Sequence, residues 1–404
     1  MMKTFSKIFI YTISTILLAW LLPWSYRFIT AEPISVPFTL YSSIIKNFAY
    51  VESNKNSETQ YKDFNGNSFT IEEYDSILPF FYYRQLLAKE KLPEVINGTE
   101  VSVASIRKSN FSLKQSTRDV NMNAPKIWMM MESVPSHVDL EEPKVAFRIS
   151  YMIEFIDMKS NKIDENKSRL FDKVMKEKGF KFPVKSLNGN PTTKKEYDEG
   201  YIMIDAESKP FHVKMMKGRP YVKSIDTPEG IKFKRAIIAE FPNKELLAFL
   251  SDETNNLYLL NRSYQIHKLP FTYNPEKEDL MIIGNMMDWT ARVSCDNGYS
   301  FYAVDANDYS LIMKHDYKYK DESTLQKAAS YIFPFTISFT SSNDKWVIPR
   351  IDDISTKALI LNIILLVLFA IIKREKKLRK VLPYYISILI FGLFVFIPLL
   401  VIKK

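Results

Sequence analysis

The sequence predicts a mainly β extracytoplasmic domain, built of β-propeller-like repeats of antiparallel strands with two helical insertions, plus three transmembrane α-helices, one N-terminal and two C-terminal. Three observations predict it. Uncharged apolar runs stand near both ends of a 404-residue chain whose mean hydropathy is slightly negative, so the middle must be soluble in water. That middle reads mostly as short alternating strands. One turn pattern recurs in it at intervals of roughly 45 to 55 residues, the size of a propeller blade.

The first run, Ile8 to Leu22 (IFIYTISTILLAWLL), carries no charge. With Pro23 to Tyr26 it approaches the roughly 20 residues that cross a bilayer. Trp20 and Trp24 stand toward its far end, where amphipathic rings favour the headgroup region, and Arg27 follows. A basic start and an apolar middle also fit a cleaved signal peptide. A small-x-small cleavage site is not evident after Leu22, which favours an uncleaved signal anchor over residues 1–30.

Residues 31–346 read as the β-rich repeat domain. A short apolar strand, an Asp or Asn, a few polar residues and a second apolar strand recur as IEFIDMKSNKI, YIMIDAESKPFHV, LYLLNRSYQIHKL and FYAVDANDYSLIM. The turn residues are Asp157, Asp205, Asn261 and Asp305. Such side chains accept a bond from a backbone N–H two residues on and tolerate turn geometry. Preceding hairpins supply three or four strands per unit, a propeller blade in form, with an open stack or a sandwich as alternatives. Two segments break the pattern and read as helices. Glu165 to Lys178 has Asp164 as N-cap and Gly179 as stop, and Ser76 to Lys91 starts acidic and ends basic. Phe333, Phe335, Ile337 and Phe339 then alternate as a strand.

Residues 347–404 read as a membrane hairpin. Ala358 to Ile372 has Asn362 as its only polar member, an amide that reads as a bond across helices, as a membrane-helix contact with a partner, or as bonded to its own backbone. Leu382 to Ile402 is longer and uncharged. Between them, six of the eight residues 373–380 are Lys or Arg, the mark of a cytoplasmic turn. Lys3 and Lys7 keep the N-terminus inside, so the large domain lies outside the cytoplasmic (inner) membrane. Lys403 and Lys404 then fall outside, two charges against six.

The formal charge of +9 does not point to nucleic acid, because the basic residues cluster at the membrane flanks or interleave with Asp and Glu. Cys295 is the single cysteine and reads as a small buried residue ending a strand. No GxxxxGK[ST], HExxH or GxSxG is present. His137, His212, His267 and His315 are scattered, although His212 and His267 read as equivalent second strands of two repeats. Adjacent carboxylates such as Glu72 with Glu73 point to opposite faces of a strand, unsuited to paired acid and base work. Catalytic, cofactor and metal residues are therefore assigned to none. Arg219 and Tyr221, in the turn MKGRPYVKSID, read as a recognition loop.

Several stretches carry a resemblance: ILPFFYYRQLL, GNPTTKKEYDEGYIMID, KGRPY, IIGNMMDWT and FPFTISFTS. Together the chain resembles an uncharacterised family of bacterial membrane proteins described only as a domain of unknown function. Members look to be commonly encoded beside ATP-binding-cassette transporter subunits, so the resemblance implies a transporter-associated partner. It carries no catalytic residues to transfer.

The expected function is a membrane-anchored accessory or binding component with membrane lipid and a transporter permease as partners, and not an enzyme. A propeller-type extracytoplasmic hydrolase and a structural envelope protein are the alternatives. The hydrolase would have a central funnel lined by carboxylates, His or Arg from several units.

Overall fold

The chain opens with helix α1 (Met2–Thr30), and the repeats that follow fold as antiparallel meanders. A computed structural model describes residues 2–31, 36–53, 58–122, 125–295, 297–319, 321–373 and 378–402. By their contacts the residues divide into two units, 35–318 and 1–34 with 319–404. The division falls at residue 318, where the sequence placed the end of the β domain at 346.

In the first unit, β1 (Phe38–Ser42), β2 (Asn47–Ser53), β3 (Thr59–Asp63) and β4 (Ser68–Phe69) form sheet 1. An insertion follows: α2 (Ile71–Ile77), α3 (Tyr83–Ala88), the hairpin β5 (Val95–Ile96) and β6 (Thr99–Glu100), α4 (Val103–Ser109), β7 (Phe111–Gln115) and α5 (Thr117–Val120). Sheet 2 is β8 (Trp128–Met130), β9 (Val145–Ile149), β10 (Ile153–Asp157) and β11 (Lys162–Asp164), after which comes α6 (Glu165–Glu177). Sheet 3 is β12 (Ser186–Gly189), β13 (Tyr201–Ile204), β14 (Pro210–Met216) and β15 (Arg219–Ser224). Sheet 4 is β16 (Phe233–Ile238), β17 (Leu246–Asp252), β18 (Asn256–Asn261) and β19 (Ile266–Thr272). Sheet 5 is β20 (Leu280–Gly284), β21 (Asp288–Cys295), β22 (Gly298–Asp305) and β23 (Leu311–Lys318), with β7 paired on the free edge of β20.

Side chains alternate across each strand, so one strand can serve two seams. Ala248 and Leu250 of β17 pack with Ile202 and Ile204 of sheet 3, whereas Phe249 between them packs with Trp289 and Ala291 of sheet 5. Phe147 and Phe155 join sheet 2 to Tyr201 and Phe211 of sheet 3, and Phe301 and Ala303 join sheet 5 to Tyr41 and Phe48 of sheet 1. The sheets therefore stack in the order 2, 3, 4, 5, 1, the arrangement of propeller blades. No sheet closes the stack into a ring, and no core cluster of the described residues joins sheet 1 to sheet 2.

Helix α6 follows the sequence: the Asp164 carboxylate accepts from the Lys167 N–H, and Gly179 takes φ +87 at the exit. The helix expected over Ser76 to Lys91 is instead two short ones, α2 and α3. Pro79 disfavours helical geometry at Leu78, which leaves α2 at φ −123, ψ 55. The short helices α4 and α5 add to the two insertions expected. Cys295 is exposed at the last position of β21, not buried.

The second unit adds α7 (Thr324–Ile332), the pair β24 (Thr336–Ser338) and β25 (Arg350–Asp352), α8 (Leu359–Ile372), α9 (Leu378–Phe391) and α10 (Leu393–Val401). Ala19 of α1 packs with Phe333 and Phe394, the Tyr11 hydroxyl donates to the Ile402 carbonyl, and Arg27 pairs with Asp353 at 2.6 Å. Three transmembrane helices are not supported. Only the span Phe5–Thr30, 26 residues, is long and apolar enough among the described residues. At about 1.5 Å per residue it exceeds the roughly 30 Å of bilayer hydrocarbon. Helix α8 has 14 residues, and the last apolar run is interrupted at Gly392, where φ is +53. The basic turn's residues 374–377, together with Lys403 and Lys404, lie outside the described residues.

Candidate functional site

The turn residues come first, because they set the meander geometry. Asp157, Asn261 and Asp305 occupy the third turn of their sheets, but Asp205 occupies the second turn of sheet 3. The regular interval thus mixed two turn positions. Asp205 Oδ1 accepts the N–H groups of Glu207 and Lys209, both at 2.9 Å, and Asp157 Oδ1 accepts from Ser160. Asn261 accepts from the Gln265 N–H and Asp305 from the Asn307 N–H. Two equivalents escaped the sequence reading: Asp63 in the third turn of sheet 1 and Asp252 in the second turn of sheet 4. Sheet 3 closes its third turn on Lys217 and Gly218, both at positive φ, with their N–H groups bound by the Glu132 carboxylate.

Arg219 follows that turn and is exposed. Tyr221 is half-buried, and its hydroxyl meets the Tyr264 hydroxyl at 2.9 Å. Tyr264 in turn lies 2.8 Å from His212 Nδ1, while His212 Nε2 stands 2.7 Å from the Glu199 backbone carbonyl. A carbonyl only accepts, so Nε2 carries the proton and Nδ1 accepts from Tyr264, which leaves Tyr221 as donor. Burial pushes His212 down to about 3. It is therefore neutral, and its 3.6 Å approach to the Glu199 carboxylate is not an ion pair. His212 and His267 are not equivalent: one is on the third strand of sheet 3, the other on the fourth strand of sheet 4.

Around His212 runs a buried charge network between sheets 3 and 4. Lys195 bridges Asp198 at 2.7 Å and Glu240 at 2.6 Å, and Lys214 binds Glu199 at 2.7 Å, with Arg262 on its other oxygen. Three carboxylates thus meet three cations. Burial nonetheless lifts Glu240 to about 7, against the pull of Lys195. The same cause lowers Lys214. Every charge has a partner, which suits a clamp between two sheets better than a reactive centre.

Two cavities open in this unit. One, of about 570 Å³, is bounded by the first strands of sheets 2, 3 and 4 and by β7. Its lining carries Asp119 as carboxylate with Lys126, Lys185 and Arg235 as cations. No pair of acids and no histidine lines it among the described residues. The Ser251 and Tyr273 side chains at its wall are buried with no partner for their hydroxyls.

The other cavity, of about 510 Å³, lies between sheet 1, the α2–α3 segment and sheet 5. Tyr41, Phe80, Phe81, Tyr83 and Phe111 line it, and Asp288 lies among them at 3% exposure. The four-residue turn Asn285–Asp288 holds this acid: Asn285 Nδ2 donates to Asp288 Oδ1 at 3.1 Å, and Asn285 N donates to the Asp288 carbonyl at 3.0 Å. Burial raises Asp288 to about 7, with Asp305 across the ladder adding to the rise and bonds from Asn285 and Ser43 opposing it. No lysine, arginine or histidine forms an ion pair with it among the described residues. Asn110 also lines the cavity; its Nδ2 donates to the Phe80 carbonyl at 2.7 Å, and its Oδ1 is buried without a partner. Arg84 is exposed, and its Nε donates to the Tyr83 hydroxyl at 3.1 Å. The Arg84 bond, helped by Arg107, holds that phenol below its usual value.

Phe80, Phe81 and Tyr83 belong to the aromatic cluster of ILPFFYYRQLL, which the sequence offers as core or as a docking surface, whereas neither Asp288 nor Asn110 reads from sequence as a site residue. Asn362 sits in the helical unit, fully buried, with Nδ2 donating to the Leu389 carbonyl at 2.9 Å. Among the described residues no group of three or more His, Cys, Asp or Glu could hold a metal ion.

Residues 38–304 match the model of a family described as "Domain of unknown function (DUF4857)". No curated protein matches the chain. Among solved structures, a β-propeller domain of Cps50 (Swd1) from Myceliophteria thermophila is 11% identical with a TM-score of 0.26, over 55% of this chain and 62% of that one. The Dos1 propeller is 10% identical with a TM-score of 0.28, over 71% and 62%. PorZ, a bacterial surface component of the type-IX secretion system of Porphyromonas gingivalis, is 9% identical with a TM-score of 0.22, over 72% and 28%. The chain thus spans less than two thirds of the length of each.

Proposed function

From the premise that this chain belongs to the DUF4857 family, we propose that it is a membrane-anchored binding component. Helix α1 and its partners would hold it in lipid, and the cavity around Asp288 would take a small ligand. The observation that carries the reading is the outer surface of α1. Ile8, Phe9, Ile13, Ile16, Leu17 and Leu21 are all exposed, and 6% of the most apolar window of the helix is buried. Such a surface is stable in hydrocarbon and unstable in water. Ile360, Ile363, Ile364, Val367 and Leu368 extend the same character along α8. On this reading α8 and the broken pair α9–α10 enter the bilayer beside α1, each shorter or less regular than a free-standing span.

The basic residues near the N-terminus favour a cytoplasmic start and an extracytoplasmic β unit. A transporter permease is the proposed partner of the helical unit, supported by the resemblance to proteins encoded beside ATP-binding-cassette subunits. Binding is favoured over hydrolysis, since neither cavity lining pairs two acids.

The exposed Cys295 provides the test of sidedness, being the single cysteine of the chain. A membrane-impermeant maleimide should label it in intact spheroplasts, and the chain should leave the membrane only with detergent. Labelling confined to lysed cells, or release by carbonate wash, would reject the anchored extracytoplasmic reading. Purification in mild detergent should recover a permease with the chain; recovery of the chain alone would reject that partner.

A further inference from the structure

Burying a carboxyl without a counter-ion is costly, and folded chains rarely keep one in a solvent-connected cavity without a use for it. In the cavity between sheets 1 and 5, Asp288 has three hydrogen-bonding or charged neighbours of its own, Asn285, Ser43 and Asp305, and none of them is a cation. Tyr41, whose phenol is raised by burial and then by Asp288, borders the same space. Arg84 is the one cation of the lining among the described residues, and it is exposed and bonded to Tyr83. A second acceptor, Asn110 Oδ1, is buried there with nothing bound to it. The space therefore holds one carboxyl without a counter-ion and one acceptor without a donor, walled by five aromatic rings.

We propose that this cavity binds a small organic amine in its ammonium form, with the cationic head between Asp288 and Asn110 Oδ1 and the apolar body against Phe80, Phe81 and Phe111. An ammonium group offers donors and no acceptor, which complements two acceptors. It also supplies the missing counter-ion, and aromatic faces attract it further. An anionic ligand would meet the Asp288 carboxyl, the one acid of the lining among the described residues, and is disfavoured. The cavity volume is that of a site for a small molecule, not a docking surface for a folded partner. An ammonium head also favours the ionised acid, so binding lowers the Asp288 pKa from its raised unliganded value, and the carboxyl proton goes to solvent.

The inference rests on the reading that this cavity is a ligand site, and the experiment separates the two. Full-length protein in detergent is titrated calorimetrically with phenethylamine and with its uncharged analogue 2-phenylethanol, both to millimolar concentration. The expected result is saturable binding of phenethylamine, with the alcohol weaker by roughly tenfold or more. Asp288→Asn should erase that preference, and Asn110→Leu should weaken the amine more than the alcohol. Circular dichroism checks that both variants fold, and the Asn110 variant keeps the test open should Asp288→Asn not. Equal binding of the two probes overturns the ammonium assignment and leaves the cavity reading standing. Binding of neither overturns both.

Discussion

Asn362 and Gly392 face one another across the helical unit so closely that a Cβ on Gly392 would collide with Asn362 Oδ1. The same amide donates to the Leu389 carbonyl, one of the acceptors freed where the helix breaks at Gly392. The break and the asparagine are one device: the glycine takes φ +53 and makes room, and the side chain replaces the lost backbone bond.

Asn362→Leu should therefore lower thermal stability in detergent by the equivalent of roughly 1–3 kcal/mol, the penalty for an orphaned buried carbonyl. Gly392→Ala should be worse, because it adds the collision to a strained backbone. A differential scan on both variants checks the order. A Gly392→Ala variant as stable as the parent would show that the helix does not need the break.

The clamp between sheets 3 and 4 yields a second expectation. Lys195→Met leaves Asp198 and Glu240 buried without their shared cation. The loss should be about 3–5 kcal/mol in denaturant unfolding, as for other broken buried pairs. Replacing Lys195 and Glu240 together by apolar residues should recover part of it.

Asp288 gives a dependence on pH whose sign is fixed. A carboxyl raised from 3.8 to about 7 keeps its proton longer in the folded chain than in the unfolded one. Its contribution is complete below the unfolded value and is lost as pH rises toward about 7. Asp288→Asn should flatten the decline in stability between those limits. Urea midpoints of parent and variant across that range measure it, and parallel curves would contradict the burial assigned to Asp288. Glu240 titrates in the same window in both proteins and cancels in the difference.

The turn aspartates should differ in weight. Asp252 is buried, and although burial raises it, bonds from Asn256, Thr254 and Tyr258 hold it below the usual carboxylate range. Asp252→Ala should cost roughly 2 kcal/mol in denaturant unfolding, that of hydrogen bonds to a charged acceptor. Asp157 is more exposed and serves fewer groups, so Asp157→Ala should cost less. The reverse order would mean that turn position, not burial, sets their worth.

Much of the fold was legible in residues 150–315, because strand alternation and Asx turns are local. Asp164 before a helix and Gly179 after it are local too, and both ends of α6 fall there. The helix expected over Ser76 to Lys91 was misread because Pro79 outweighed a favourable charge pattern. Asp205 was placed in a series with Asp157 although it serves a different turn, since an interval cannot distinguish the second hairpin of a sheet from the third. The histidines were misread for the same reason: His212 owes its role to Tyr264 of the next sheet.

The sequence by itself determined the apolar helix at the start, the strand-rich middle and the chemistry of its turns, because hydropathy, period and turn propensity act between near neighbours. Tertiary structure alone decided that Asn110, far from Asp288 in the chain, lines the same cavity, and that Lys195 meets Glu240. Both depend on which sheet faces show to one another, a matter of packing between segments that carries no repeating mark along the chain.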